Sequence, residues 1–152
     1  MTGEREHDVV LYGASGFVGA LTAAHLAVHA PDGVRIALAG RSREKLEAAR
    51  AALPPSAHAW PLVVADSQDA GAVAAMAAST RVLATTVGPY ARYGLPVVEA
   101  CARAGTHYAD LTGEVLFVRD AIDRTDAVAR DTGAELTLPR DQVATALVAL
   151  VN

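Results

Sequence analysis

The chain predicts a three-layer α/β fold built on a doubly wound parallel sheet, and three observations carry that expectation. Six short apolar runs alternate with helix-like segments along 152 residues. The first run ends in glycines spaced G-x-x-G-x-x-G, at Gly13, Gly16 and Gly19, and a helix-like segment follows directly. Distinctive loops then recur at successive strand ends, at Gly40-Arg41-Ser42 and at Val87-Gly88-Pro89-Tyr90. Strand, tight glycine turn and helix in that order are the opening of a Rossmann fold, whose strands run 3-2-1-4-5-6 with right-handed crossovers.

Bulk composition narrows the function classes. The length suits one domain with a real core, and 52% hydrophobic residues with 5% aromatics describe an Ala/Val/Leu-packed globular chain. A net charge of -4 with interspersed signs leaves no basic footprint for nucleic acid. Cys101 is the one cysteine, so no intrachain disulfide forms; it reads as a small buried hydrophobe on a helix. Met1 to Asp8 lacks the apolar stretch of a signal peptide, and no run approaches the roughly 20 residues of a membrane span. The expectation is a cytoplasmic protein.

In chain order, Asp8–Tyr12 is the first strand. Gly13 turns the chain sharply, Gly16 admits a pyrophosphate to the backbone, and Gly19 allows close helix–strand packing. Ser15, Phe17 and Val18 complete that turn. Val18, Leu21, Leu26 and Val28, mixed with alanines, suit a helix lying on the sheet, and Pro31-Asp32-Gly33 stops it. His25 and His29 have the i,i+4 spacing of metal ligands but no accompanying cluster, so they read as helix-surface histidines. Val34–Ala39 is the second strand. At its tip, where an acid would select NAD, stands Arg41 between Gly40 and Ser42. A guanidinium grips a 2′-phosphate with two hydrogen bonds and a hydroxyl adds a donor, so the cofactor reading is NADP. Ser42 is alternatively the cap of a helix from Arg43 to Leu53, which Pro54-Pro55 ends.

Trp60–Asp66 is the third strand. Asp66 either accepts from an adenine amino group or, with Ser67, caps the helix over Asp69–Ala78. Arg81–Val87 is the fourth strand, at the edge of the crevice where doubly wound folds bind ligands. Gly88 and Pro89 would approach the nicotinamide side, with Tyr90 and Tyr93 lining the crevice. Lys45 is the only lysine, which excludes a Tyr-x-x-x-Lys proton donor. Leu95-Pro96 starts a helix running to Ala104, with Gly105 as its stop. His107–Leu111 is a fifth strand. Asp110 and Glu114 are then an acid/base pair, or a turn residue and a helix-start acid. A helix over Val115–Asp131, a sixth strand over Ala134–Leu138 and an apolar final helix over Arg140–Asn152 complete the reading.

With VLYGASGFVG (Val10–Gly19), ALAGRS, TTVGPYARYGLPVVEAC and YADLTGE in view, the chain resembles the NADP-binding domain of the saccharopine dehydrogenase-like oxidoreductases, in the trans-acting enoyl reductase branch. The resemblance runs from about Asp8 to Ala134. It implies NADP at Gly13, Ser15, Gly16, Phe17, Val18, Arg41, Ser42, Asp66, Val87, Gly88, Pro89 and Tyr90. It also implies a larger substrate domain and reduction of an enoyl or related lipid or polyketide intermediate.

The family continues into a Gly-Phe-Asp-x-x-Pro-type segment, whereas this chain has Glu135-Leu136-Thr137-Leu138-Pro139-Arg140-Asp141. The expected division is a dinucleotide-binding domain over 1–138 and a departing helical tail over 139–152, with the substrate domain absent. A non-catalytic NADP-binding or redox-sensing module, or a truncated gene product, is the competing reading, and a homodimer is compatible with each. The substrate, small or lipid-derived, is not identified by sequence. If Leu136, Leu138, Val143, Leu147 and Val151 bury against the sheet, ending the chain at Pro139 lowers the melting temperature measured by circular dichroism.

Overall fold

A computed structural model describes residues 4–138. Six strands form one parallel sheet: β1 (His7–Tyr12), β2 (Ile36–Gly40), β3 (Leu62–Val64), β4 (Thr80–Thr85), β5 (His107–Ala109) and β6 (Leu136–Thr137). Their order is β3-β2-β1-β4-β5-β6, as the sequence predicts. The connecting helices are α1 (Phe17–His29), α2 (Arg43–Ala51), α3 (Ala70–Ser79), α4 (Tyr90–Ala104) and α5 (Val115–Thr132), with a 3-10 turn at Pro55–Ala57. The expected tail, with Val143, Leu147 and Val151, lies outside the described residues; Leu138 is buried and Leu136 half-buried.

Side-chain alternation along the strands sorts the helices into two layers. Val10 and Ala37 belong to a core with Val73 and Met76 of α3, Val97, Val98 and Cys101 of α4, and Phe117 and Val118 of α5. Their chain neighbours Leu11 and Leu38 point the other way, into a core with Ala23 of α1 and Leu46 of α2. Successive strand residues face opposite sides of a sheet, so α1 and α2 cover one face and α3, α4 and α5 the other. Every residue of β2 is buried, as expected of a central parallel strand.

Several expectations need correction. Helix α4 begins at Tyr90 rather than at Leu95-Pro96, so Pro96 lies inside the helix. The reason is a cap from a distant residue: Glu114 accepts from the amides of Tyr90 and Ala91, which satisfies donors that sequence proximity leaves orphaned. In α1 the residues expected on the sheet are reversed. Val18, Leu21 and Val28 are exposed, while Gly19 and Ala23 are buried and Leu26 is half-buried. Small residues win because α1 lies too close to the sheet for larger ones. β3 is three residues long rather than seven, since pairing with β2 stops at Val64. His25 and His29 are exposed, with ring centroids 4.3 Å apart, and no cluster of three metal-ligating side chains occurs among the described residues. No helix among them is long and apolar enough to cross a membrane. Cys101 is fully buried, and burial pushes its thiol up to about 12.

The strand ends away from the glycine turn are held by Arg5. Its guanidinium donates to the carbonyls of Ala78 and Ala104, at the ends of α3 and α4, and to Thr106 Oγ1. Cations suit helix C-termini. Thr106 in turn donates to Ala77 O. Beside this, the Asp8 carboxylate accepts from Arg35 Nε at 3.1 Å and Nη2 at 3.0 Å.

That pair holds the Asp8 carboxyl at about 2, below its ordinary 3.8. A lowered carboxyl contributes stability above the unfolded value, and that contribution is lost as pH falls through the folded one. Asp8→Asn therefore melts below the parent at pH 6, and the gap closes between pH ~4 and ~2; a gap unchanged across that window, followed by calorimetry, would remove the electrostatic role. Cys101 does not react with a thiol reagent in the native protein at neutral pH and reacts fully in urea, read by absorbance.

Candidate functional site

Strand register brings the loops together. Tyr12 is level with Ala39 of β2 and Thr85 of β4, Gly40 is level with Val64 of β3, and Ala84 is level with Ala109 of β5. The residues that follow, Gly13, Arg41, Ala65-Asp66, Thr86-Val87-Gly88 and Asp110, therefore leave one edge of the sheet in a row. Between them is a crevice of about 490 Å³ lined by Tyr12, Gly13, Ser15, Gly16, Gly40, Arg41, Asp66, Ser67, Gln68, Thr86, Val87, Gly88, Pro89 and Tyr93. It lies at the switch between β1 and β4, where open α/β sheets take their ligands.

The floor is bare backbone. Gly13 has φ of +90°, and a Cβ there would lie 2.7 Å from Thr86 Oγ1 and 2.9 Å from Val87 Cγ2. A Cβ on Gly19 would overlap the Gly13 carbonyl oxygen. Helix α1 thus starts hard against the end of β1. Its N-cap is Gly16, without a side-chain cap, so the first amides of α1 are open. The other helix starts around the crevice are filled by the protein itself. Ser42 Oγ accepts from Lys45 N in α2, Asp69 Oδ1 from Ala72 N in α3, and Glu114 from Tyr90 N and Ala91 N in α4. Helix α5 has no side-chain cap, but none of its residues lines the crevice. Positive helix ends attract anions, and α1 is the open start beside the crevice.

Around that floor, Thr86 Oγ1 donates toward Gly13 O at 3.3 Å, pinning the glycine turn to the end of β4. Tyr12 donates its hydroxyl to Ala65 O at 3.2 Å and joins β1 to the loop after β3. Burial raises the Tyr12 phenol above its usual value. Asp66 Oδ1 accepts from Gln68 N at 2.9 Å; the cap of α3 is Asp69, so Asp66 is free of that alternative role.

The twelve residues singled out in the sequence fall into two groups. Gly13, Ser15, Gly16, Arg41, Asp66, Val87, Gly88 and Pro89 line the crevice. Phe17 and Val18 are exposed at the start of α1, 83% and 43% exposed, and offer only backbone to the turn. Ser42 is turned onto α2 as its cap. Tyr90 does not line the crevice: it is buried, donates to Thr85 O at 3.1 Å and accepts from Leu111 N at 3.3 Å, and burial raises its phenol. Tyr93 lines the crevice instead, with the Arg92 guanidinium 5.1 Å from its ring. Asp110 and Glu114 resolve into structural acids. Asp110 Oδ1 accepts from Thr112 N and Oδ2 from Tyr108 Oη, and burial raises its carboxyl. Thr86, Tyr12 and Gln68 are lining residues not marked by the sequence reading; Thr86 carried one signal, a hydroxyl two residues before Gly88 at a strand's end.

Residues 9–137 match the family described as the saccharopine dehydrogenase NADP binding domain. The chain belongs to that family. Among curated relatives of this NADP-binding domain, a trans-acting enoyl reductase of Mycobacterium tuberculosis is 58% identical over 135 residues, covering 89% of this chain and 32% of the relative. The Mycobacterium leprae protein of the same description is 56% identical over the same shares. The chain thus spans about a third of the length of these relatives. Among solved structures, Saccharomyces cerevisiae saccharopine dehydrogenase (L-Glu forming) superposes with a TM-score of 0.62 at 24% identity, over 75% of this chain and 23% of that one. Citrobacter triphenylmethane reductase complexed with NADP(H) gives 0.61 at 19% identity, over 85% and 48%. Both show the shared fold.

The clash at position 19 yields a direct test. Gly19→Ala forces α1 off β1 and lowers stability by about 1–3 kcal/mol, the usual cost of overpacking, measured by urea titration; Gly71→Ala, in the first turn of α3 where a Cβ meets nothing nearer than 3.4 Å, serves as the comparison.

Proposed function

We propose that this domain binds NADP(H) as the cofactor-carrying part of an oxidoreductase. One observation carries the reading: the uncapped start of α1, the side-chain-free floor at Gly13, and Arg41 line a single crevice. The backbone of Gly13, Ser15, Gly16, Phe17 and Val18 would hold the pyrophosphate. Arg41 would hold the 2′-phosphate with a two-pronged charge-assisted contact. Ser42, next in the chain, retains a hydroxyl proton that its helix cap does not use. Asp66 would meet the adenine amino group, and Val87, Gly88, Pro89 and Tyr93 the nicotinamide side. The nicotinamide supplies a hydride when bound; the residues named here bind and orient it.

The similarity to trans-acting enoyl reductases supports an enoyl or related lipid-derived intermediate as the substrate of the whole protein, in the cytoplasm. Residues 1–138 would form the cofactor domain, with 139–152 a tail whose sequence departs from the family. A hydride step needs the substrate held against the nicotinamide, which the two thirds of the relatives' length beyond this match would supply.

Isothermal titration decides the cofactor. NADPH binds at least about tenfold more tightly than NADH, a difference of roughly 1.4 kcal/mol, and Arg41→Ala removes most of that preference. Equal affinity of the parent for both cofactors would overturn the role of Arg41.

A further inference from the structure

The two loops that close the β4 side of the crevice are fastened to each other by one carboxylate. Glu114 stands at the start of α5, after β5, yet its side chain reaches the start of α4, after β4. There Oε1 accepts from Tyr90 N at 2.7 Å and Oε2 from Ala91 N at 2.8 Å. Both oxygens are used, and both donors immediately follow Gly88-Pro89, which line the crevice. The tie is itself braced. Glu114 N donates to Thr112 Oγ1 at 3.0 Å, and Thr112 N donates to Asp110 Oδ1 at 3.1 Å. A second strut runs alongside, with Leu111 N donating to Tyr90 Oη and Tyr90 Oη donating to Thr85 O.

We propose that Glu114 is a positioning residue for the nicotinamide half of the cofactor: its carboxylate, clamped across the amides of Tyr90 and Ala91, sets where Gly88 and Pro89 stand in the crevice. The inference rests on the NADP reading and deepens it. Neighbouring strands lie roughly 4.8 Å apart, so a dinucleotide with its 2′-phosphate at Arg41 beyond β2 and its pyrophosphate at the glycine turn beyond β1 has its other half beyond β4. Charge-assisted bonds of carboxylate to amide are about twice as strong as neutral ones, and two of them in parallel fix orientation as well as distance. The clamp has a second effect. By filling the start of α4 with a fixed negative charge, Glu114 withdraws that helix from anion binding and leaves α1 to take the phosphates.

The test separates the two halves of the ligand. NADPH and adenosine 2′,5′-bisphosphate, which has the adenine half alone, are titrated by calorimetry into the parent, Glu114→Gln, Tyr90→Phe and Arg41→Ala, with a thermal melt of each to establish folding. Glu114→Gln keeps the size but places an amide group against two N–H donors. It weakens NADPH about tenfold, the scale of one charge-assisted hydrogen bond, and leaves the bisphosphate within about twofold. Tyr90→Phe, which removes the second strut, shifts the ligands in the same unequal way by a smaller factor. Arg41→Ala weakens both. Equal loss of both ligands in folded Glu114→Gln, or no loss of either, overturns the positioning role while leaving the cofactor reading intact. A folded parent that binds neither ligand overturns the cofactor reading and this role together.

Discussion

The approach of α1 to the end of β1 is the constraint on which the rest of this structure depends. It is possible only because position 19 has no side chain to meet the carbonyl of Gly13. Once the helix starts there, its first amides face the crevice, the buried face of α1 is limited to small residues, and larger apolar side chains such as Leu21 and Val28 are left outward. The same closeness requires the glycine turn at 13, because a side chain there would strike Thr86 and Val87 of the adjacent loop. Sheet, helix and crevice are thus set by one contact between backbones.

A second layer of organisation is electrostatic. The five helices among the described residues begin at the same edge, and five positive ends side by side would offer an anion several competing positions. The chain removes three of them with its own oxygens, from Ser42, Asp69 and Glu114. Two of these caps are local, a serine or aspartate three residues before its partner, and follow ordinary N-cap chemistry. The third comes from 23 and 24 residues away and needs the sheet to be assembled first.

That distinction explains what the sequence could and could not show. The glycine turn and the arginine at the tip of β2 were legible because each depends on residues adjacent in the chain, and the strand order followed from the fold that such a turn signals. The Ser42 cap was legible for the same reason. The start of α4 was not, since Pro96 reads locally as a first-turn proline while the true start at Tyr90 depends on Glu114. Tyr90 was placed in the crevice by its position in the loop; its hydroxyl is instead taken by Thr85 and Leu111, contacts that exist only after α4 docks. The helix α1 was misjudged in its exposed face because hydrophobicity marks what is fit to bury, whereas clearance from the sheet decides what does bury.

Arg5 carries a consequence for where this unit begins. The family match starts at residue 9, four positions after the guanidinium that bonds the ends of α3 and α4 and the hydroxyl of Thr106. A boundary drawn from similarity would therefore cut away a clasp that joins the end of α3 to the end of α4. The piece recognisable by descent is shorter than the piece that holds itself together, and a lead-in that looks like an unstructured polar overhang belongs to the architecture.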